Sequence, residues 1–478
     1  MSAKTPQETI LWRDREAADA TSGTRAGPSW SATGVSIDSR EIEGGELFVA
    51  LTDARDGHDF VADALAKGAA AALVSRRPEG LGAEAPLLKV VDPLTGLEAL
   101  ARAARARAPF ENGGLIAVTG SVGKTSTKDM LAHCLDAQAP THSAVASFNN
   151  HWGVPLTLAR MPRETRFAVI EIGMNHAGEI RPLSQLARPH AAIVTTVAPV
   201  HIEAFDSVEG IADAKAEIFE GLEPGGAAIL NRDNAYFDRL AGIAKEHGAR
   251  VVDFGEAAEA VRLIRALDAP ARQSVEAEIF GEKILFKIPQ PGRHFAQNAL
   301  AVLAGASLLG ADLSRAALAL GTWQAVQGRG NRTLLQIEGA EPVLLVDESY
   351  NANPTSLEAA LATFAKATPP AEAGQRLVFL TDMLELGADG AALHAQIAEA
   401  DGIDAVDRVY TAGPLMHALH EALPAHRRGQ HVETAEQLAE LALATVRPGD
   451  AVMVKGSKGS RARLVADRLR ALQDNNDD

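Results

Sequence analysis

The chain has 478 residues, 46% of them hydrophobic and 23% charged. At roughly 150 residues per domain it has room for about three domains, which excludes a single small module and general disorder. Lysine and arginine total 46 against 62 aspartates and glutamates, a formal charge of -16 that argues against broad attraction to nucleic-acid phosphates or anionic lipid. A single cysteine, Cys134, excludes an intrachain disulfide and a Cys-rich metal centre, as fits a reducing cytoplasm. The first twenty residues carry scattered charges and no apolar stretch before a small-residue cleavage site, and no apolar run reaches the ~18 residues of a membrane span. Neither a secretory signal nor a spanning helix is expected.

In chain order, short apolar runs come first: GVSIDSR, GGELFVAL, a helical stretch FVADALAKGAAAALV and a strand candidate LLKVVD. They predict a small α/β domain. The Ala/Arg-rich segment LEALARAARARAPF favours helix and ends at Pro109, and ENGG follows, which places a boundary there and gives an N-terminal domain over residues 1–109. From Leu115 strands and helices alternate: LIAVTG, FAVIEIG and AAIVTTV, each with a helix after it, then GGAAILN and VVDF. Apolar runs of this kind predict a mostly parallel sheet covered on both faces, over residues 110–325. After GTWQAVQGRGNR the alternation restarts with PVLLVDESY, RLVFLTDM, DRVYTAG and DAVMVKGS, predicting a second, smaller doubly wound sheet over residues 326–478. The closing DNNDD has nothing to bury and is expected to stay disordered.

The strongest chemical signal is LIAVTGSVGKTSTKDML, a strand running through Gly120, Ser121, Val122 and Gly123 into a helix that opens with Lys124, Thr125 and Ser126. Glycines let backbone N–H groups close around phosphate oxygens, and the helix N-terminus adds positive potential. Lys124 can pair with β/γ oxygens and Thr125 can ligate Mg²⁺, so the segment is a candidate ATP site. Val118 stands where the standard pattern has its first glycine, so the match is the shorter G-x-x-G-K-T form. Glu171 ends the strand of FAVIEIG, on the side of the sheet where ligands bind, and can share a hard cation with Thr125. His201 follows a further strand and Lys215 sits on the next helix; their sequence context alone gives them no role.

The order T-G-x-x-G-K-T, S-F-N-N-H-x-G, E-I-G-M-N-H-x-G-E-I, V-x-P-x-H-I-E and A-K-x-E-I-F resembles the Mur ligases, ATP-dependent amide-forming enzymes of peptidoglycan synthesis. VDESYNANPTSLEAAL, with Asp347 near its start, and DMLELG at residues 382–387 are similar to the branch that adds D-alanyl-D-alanine to UDP-N-acetylmuramoyl-tripeptide. The resemblance implies an N-terminal domain for the UDP end of the substrate, a central phosphate-loop domain and a C-terminal Rossmann-like domain. It implies that residues Gly120 to Ser126 hold ATP, with Lys124 and Thr125 on phosphate and a first Mg²⁺, Glu171 bridging, and His201 on a second Mg²⁺. Lys215 matches a family lysine that becomes N6-carboxylated, and Lys124, Lys215 and His201 are the implied catalytic set. Asn231, Asp233, His294 and Asn298 match positions near the adenosine, Arg329 and Asp347 reach the nucleotide from the C-terminal domain, and Lys455 and Ser457 match a loop at the cleft. Ser39 and Arg40 suit a diphosphate or uracil contact, while Asn149, Asn150, Asn175 and His176 would face the muramoyl tripeptide.

The implied partners are these two small substrates, with no nucleic acid, in a cytoplasmic monomer. Three other readings stay open: a ligase of the same fold adding a diamino acid or extending a folate with glutamate, a phosphate-loop NTPase switch or motor, and a catalytically inactive binding protein. N-A-N-P together with D-M-L-E-L-G fits the dipeptide-adding branch better than the other ligases.

Overall fold

A computed structural model describes residues 9–110, 113–145, 147–200, 202–269 and 272–474. His201 and residues 475–478 of the acidic tail lie outside the described residues. Three large α/β sheets follow one another along the chain, as the alternation predicts, and a two-stranded sheet pairs Trp12–Arg13 with Ser31–Ala32.

The first sheet orders its strands Thr24–Ala26, Leu87–Lys89, Ala71–Val74, Glu46–Val49 and Gly34–Ser36, parallel except for the first pair. Here the sequence expectation needs correction: FVADALAKGAAAALV is not one helix. The helix covers only Val61–Ala66, Gly68 at φ 98° breaks it, and Ala71–Val74 is a strand buried at every position. A strand covered on both faces has no alternation, so its apolar run looks like the continuation of a helix. The helix Pro93–Arg107 leads into the central domain, and the Trp12 indole anchors the N-terminal sheet there by donating to the Ala159 carbonyl at 2.9 Å.

The central sheet has nine strands in the order Glu282–Ile288, Arg272–Ile279, Val261–Ala269, Arg250–Gly255, Ala227–Asn231, Ala191–Val194, Gly114–Thr119, Phe167–Glu171 and Thr141–Ser143. All six residues of Gly114–Thr119 are buried, and its side chains divide between two cores. Ile116 and Val118 pack with the helices Lys124–Asp136 and Arg293–Leu308, while Leu115 and Ala117 join Ile180–Ala187, Val208–Ala216 and Phe237–Glu246 on the opposite face. The chain continues from Gly114–Thr119 to strands on one side of it and then crosses to Ala191–Val194 on the other. This topological switch opens a crevice beyond the strand's carboxyl end.

The strand–helix alternation does not anticipate the antiparallel hairpin at the edge of this sheet. Gln273, Val275, Ala277 and Ile279 alternate with more exposed neighbours, and Phe280 and Gly281, at φ 51° and 85°, form the two-residue turn. Both are hairpin signals that the sequence carries.

The C-terminal sheet runs Asn331–Leu335, Val343–Glu348, Ala451–Lys455, Arg376–Thr381, Arg408–Ala412 and Arg428–Val432, antiparallel only at its first pair. Two of these strands, Asn331–Leu335 and Arg428–Val432, lie outside the four runs expected from sequence. No described helix is long and apolar enough to cross a membrane.

Candidate active site

A cleft of about 720 Å³ lies between the central and C-terminal sheets, lined by residues of both. Its floor is the loop after Gly114–Thr119. Gly120 adopts φ 144°, and a Cβ there would collide with the Thr195 hydroxyl, while Gly123 at φ 86° lies against the Asn298 side chain. Only glycine takes both positions without strain. The loop is further pinned by Ser121 N–H donating to the Thr196 carbonyl at 2.8 Å and by the Thr195 hydroxyl donating to the Val122 carbonyl at 2.6 Å. Lys124 Nζ folds back to donate to the Gly120 carbonyl at 2.6 Å.

Glu171 ends its strand beside Val118 and is 1% exposed. Its Oε2 accepts from the Thr125 hydroxyl at 2.8 Å and its Oε1 from Asn149 Nδ2 at 2.7 Å. Both donors are neutral, so the carboxylate charge is oriented but not neutralised by hydrogen bonding. A buried anion held this way fits a hard cation alongside phosphate oxygens. Among the described residues no group of three or more His, Cys, Asp or Glu side chains converges into a complete metal cage. An all-protein cage is not what a Mg²⁺–nucleotide site requires, since substrate phosphates and water complete the octahedron.

Burial lowers the Lys124 pKa below the usual lysine value, opposed by the nearby Glu171 charge and reinforced by Arg329. Lys215, 2% exposed on the helix Val208–Ala216, is held well below that value by burial first and by the Lys124 charge second. The two lysines therefore sit close enough to repel each other, and burial and repulsion both push Lys215 toward its neutral amine.

The opposite wall comes from the C-terminal domain. Arg329 lies over the Tyr350 ring at 3.8 Å and donates to the Ser147 hydroxyl on the central side at 3.2 Å. Lys455, 3% exposed, donates to Glu348 Oε2 at 3.4 Å and to the Asn351 carbonyl at 3.0 Å. Burial raises the Glu348 pKa and lowers that of Lys455, and each charge opposes the shift of the other. Ser457 bridges this wall internally, donating to the Ala352 carbonyl and accepting from Leu384 N–H.

Most sequence-selected residues converge here. Ser121, Val122, Gly123, Lys124, Thr125, Ser126, Asn149, Glu171, Asn175, Asn231, His294, Asn298, Arg329, Lys455 and Ser457 all line the cleft. His294 is pushed down to about 4, chiefly by burial and then by Lys455. Asp233, by contrast, caps a turn: its carboxylate accepts from the Glu256 and Ala257 N–H groups at 2.8 and 2.9 Å and from Gln297 Nε2 at 3.0 Å. Asp347 points away from the cleft into an ion pair with Arg470. Asn150 is exposed and accepts from Gly153 N–H at 2.9 Å, at the start of a helix, and the exposed His176 pairs with Glu179 at 3.1 Å.

Ser39 and Arg40 belong to the first sheet's domain and do not line this cleft. The Arg40 guanidinium grips Asp38 at 2.5 Å and holds that carboxyl at about 2, while the Ser39 carbonyl accepts from Lys67 at 3.0 Å. Among the cleft residues that sequence reasoning left unassigned are Glu348, Tyr350, Ser147 and Gln297. Glu348 carried a usable signal, because it ends a buried parallel strand just as Glu171 does.

Comparison with known proteins agrees with this architecture. The Mur ligase middle-domain model matches residues 118–306, the Mur ligase glutamate-ligase-domain model residues 334–458, and the Mur ligase family catalytic-domain model residues 31–105. The UDP-N-acetylmuramoyl-tripeptide–D-alanyl-D-alanine ligase of Escherichia coli (strain K12) is 36% identical over 465 residues, spanning 96% of this chain and 97% of that protein. The protein of the same name from Bacillus subtilis (strain 168) is 33% identical over 467 residues, spanning 95% and 97%. Crystal structure I of MurF from Acinetobacter baumannii superposes with a TM-score of 0.82 at 28% identity, covering 96% of this chain and 99% of that one. The chain belongs to the Mur ligase family.

Proposed function

We propose that the protein is an ATP-dependent amide ligase that joins D-alanyl-D-alanine to UDP-N-acetylmuramoyl-tripeptide, in the cytoplasmic stage of peptidoglycan precursor synthesis. The observation that carries this reading is a phosphate loop whose threonine shares the buried Glu171 carboxylate, faced across one cleft by Arg329 and Lys455 from a second sheet. Near full-length likeness to ligases of that name supports the choice of substrates.

The tripeptide's terminal carboxylate oxygen attacks the γ-phosphorus, the bond from phosphorus to the β–γ bridging oxygen breaks, and ADP leaves. The dipeptide amine then adds to the acyl carbon and loses a proton, and the tetrahedral adduct expels phosphate as the amide forms. Lys124 and the loop N–H groups orient the phosphates and stabilise the charge that develops on them. Arg329 and Lys455 approach from the other wall, so that binding of ATP brings the two domains' contributions together. His294, held neutral by its burial, and Asn231 and Asn298 offer polar edges to the base and ribose without adding charge.

Mg²⁺ would supply Lewis-acid stabilisation of the phosphate oxygens, one ion held by Thr125 and Glu171 and a second by His201 and Lys215. The neutral amine of Lys215 can add to CO2, forming an N–C bond and releasing a proton to give a carbamate; this turns a buried amine into an anionic oxygen ligand. Ser39 and Arg40, in the first sheet's domain, would take the UDP end, and Asn149, Asn150, Asn175 and His176, in the central domain, the peptide. We assign residues 1–109, 110–325 and 326–478 to substrate-binding, ATP-binding and closing domains of a monomer.

Phosphate release from ATP and Mg²⁺ with UDP-N-acetylmuramoyl-tripeptide tests the reading, comparing D-alanyl-D-alanine, single amino acids and no acceptor amine. Release that requires both the tripeptide and the dipeptide is the expected result. Release with a diamino acid on a shorter peptide would replace the substrates, and acceptor-independent hydrolysis would overturn the ligase.

A further inference from the structure

The helix Arg463–Asp474 packs behind the cleft, and one of its side chains engages the aspartate that family likeness sends to the nucleotide. Asp347 is 1% exposed, and its carboxylate is ion-paired with Arg470, whose side chain is 22% exposed and also meets Asp467 at 2.8 Å. The Gln327 amide faces the same guanidinium, and since that face offers only donors, the orientation that satisfies it puts the amide oxygen there, accepting at 2.8 and 3.2 Å. Gln327 lies in the linker between the central and C-terminal sheets, two residues before Arg329.

Backbone bonds complete the knot. Gly330 N–H donates to the Asp347 carbonyl at 2.9 Å, Tyr350 N–H to the Gly328 carbonyl at 3.0 Å, and Ser349 N–H to Asp347 Oδ1 at 3.0 Å. Successive strand side chains point to opposite faces, so Asp347 turns toward the helix while Glu348 turns into the cleft beside Lys455. Fixing one therefore fixes the other. Through Gln327 the same guanidinium fixes the linker that carries Arg329 onto Tyr350 and across to Ser147.

We propose that Arg470 is a positioning residue for the nucleotide side of the cleft: it touches no substrate, and it sets the placement of Arg329 and Glu348 by tying Asp347 and the linker together. A planar guanidinium can serve a carboxylate and an amide oxygen at once, which a lysine ammonium does with far less directional control. The inference rests on the ATP-dependent reading above.

The test compares wild type with Arg470→Lys, Arg470→Met and the Arg470→Met/Asp347→Asn pair, which removes both buried charges together and so does not leave an unpaired carboxylate in the core. Each is measured for its unfolding midpoint, its dissociation constant for ATP, and kcat and KM for ATP. In the folded double variant the KM and dissociation constant for ATP should rise about tenfold, the free-energy equivalent of one lost charge-assisted contact. Its kcat and its KM for the tripeptide substrate should change less than threefold, with Arg470→Lys intermediate. A double variant that is folded and binds ATP as wild type does would overturn the inference, as would a loss confined to the unfolding midpoint. Wild-type protein that binds no ATP at all would overturn the functional reading and this inference with it.

Discussion

The two walls of the cleft each place a carboxylate at the end of a parallel strand, Glu171 fully buried and Glu348 partly so, and treat its charge in opposite ways. On the central wall, Glu171 receives, among the described residues, the neutral Thr125 hydroxyl and Asn149 amide, and the nearby cation Lys124 is turned to the Gly120 carbonyl. On the C-terminal wall, Glu348 has its own cation, the Lys455 ammonium at 3.4 Å. The first arrangement leaves a desolvated anion that, among the described residues, is hydrogen-bonded by neutral groups with Lys124 as a nearby but unpaired cation, while the second is a direct ion pair within one domain. The central wall thus offers its carboxylate without an ion-paired partner of its own, whereas the C-terminal wall brings a carboxylate already paired with Lys455 and adds the Arg329 cation beside it.

Removing the central wall's charges should have the largest effect. Lys124→Ala or Glu171→Ala should lower kcat by at least about 10²–10³-fold, the scale of losing one preorganised stabiliser of transition-state charge, with the circular dichroism spectrum unchanged. Near-normal turnover in either variant would dissolve the contrast between the walls. Lys215→Ala should lose activity likewise, and added short-chain carboxylates should restore part of it by supplying the missing oxygens; loss without rescue at any concentration would count against the carbamate.

The C-terminal wall should answer first in stability. Lys455→Met strands Glu348 as a buried, unpaired acid and should cost about 3 kcal/mol in urea unfolding, whereas Glu348→Gln combined with Lys455→Met should recover most of that loss. Equal losses in the single and double variants would show that the pair is not a compensated unit.

How far the sequence reveals these walls differs between them for a physical reason. The phosphate loop is legible because its chemistry is local: glycine conformations, a lysine and a threonine within six residues, set between a strand and a helix. Glu171 is legible because parallel-strand ends face the ligand side of a sheet. Asp347 has the same kind of position one residue before the end of its strand, but alternation sends its side chain to Arg470, a partner 123 residues away that no local pattern announces. Ala71–Val74 was read as helix because a strand buried on both faces loses the period of two. Tyr350 and Ser147 become cleft residues only when Arg329 spans the two domains, a long-range fact.

A smaller effect separates the buried lysines from ordinary ones. Lys215 is held well below its usual pKa in the folded chain, so between that depressed value and about 10.4 the unfolded chain binds the extra proton. Stability of the protein without nucleotide, metal or CO2 should therefore rise with pH through this window and be lost as pH falls through it. Lys215→Met, which removes the buried amine, should raise the stability of that form and flatten the slope. Urea midpoints at several values between pH 7 and 9 check both points. A variant less stable than wild type with an unchanged slope would mean that Lys215 is compensated within the chain.

The smallest expected effect lies outside both walls. Arg40 has a side chain 78% exposed, and its ion pair with Asp38 is screened by solvent, so the pair adds little to folding. Asp38 nevertheless holds the guanidinium in a fixed direction through contacts to Nε and a terminal nitrogen, which leaves the edge formed by the two terminal nitrogens for a diphosphate. Arg40→Ala should leave the unfolding midpoint and the KM for ATP unchanged and raise the KM for the uridine-linked peptide several-fold. Arg40→Lys, which keeps the charge and loses the fork, separates the two contributions: a KM like that of Arg40→Ala assigns the effect to directed hydrogen bonding, and one like wild type assigns it to charge alone. If neither variant moves that KM, the uridine end binds elsewhere in the first sheet's domain, and the contrast between a preformed nucleotide cleft and a separate substrate module loses its second half.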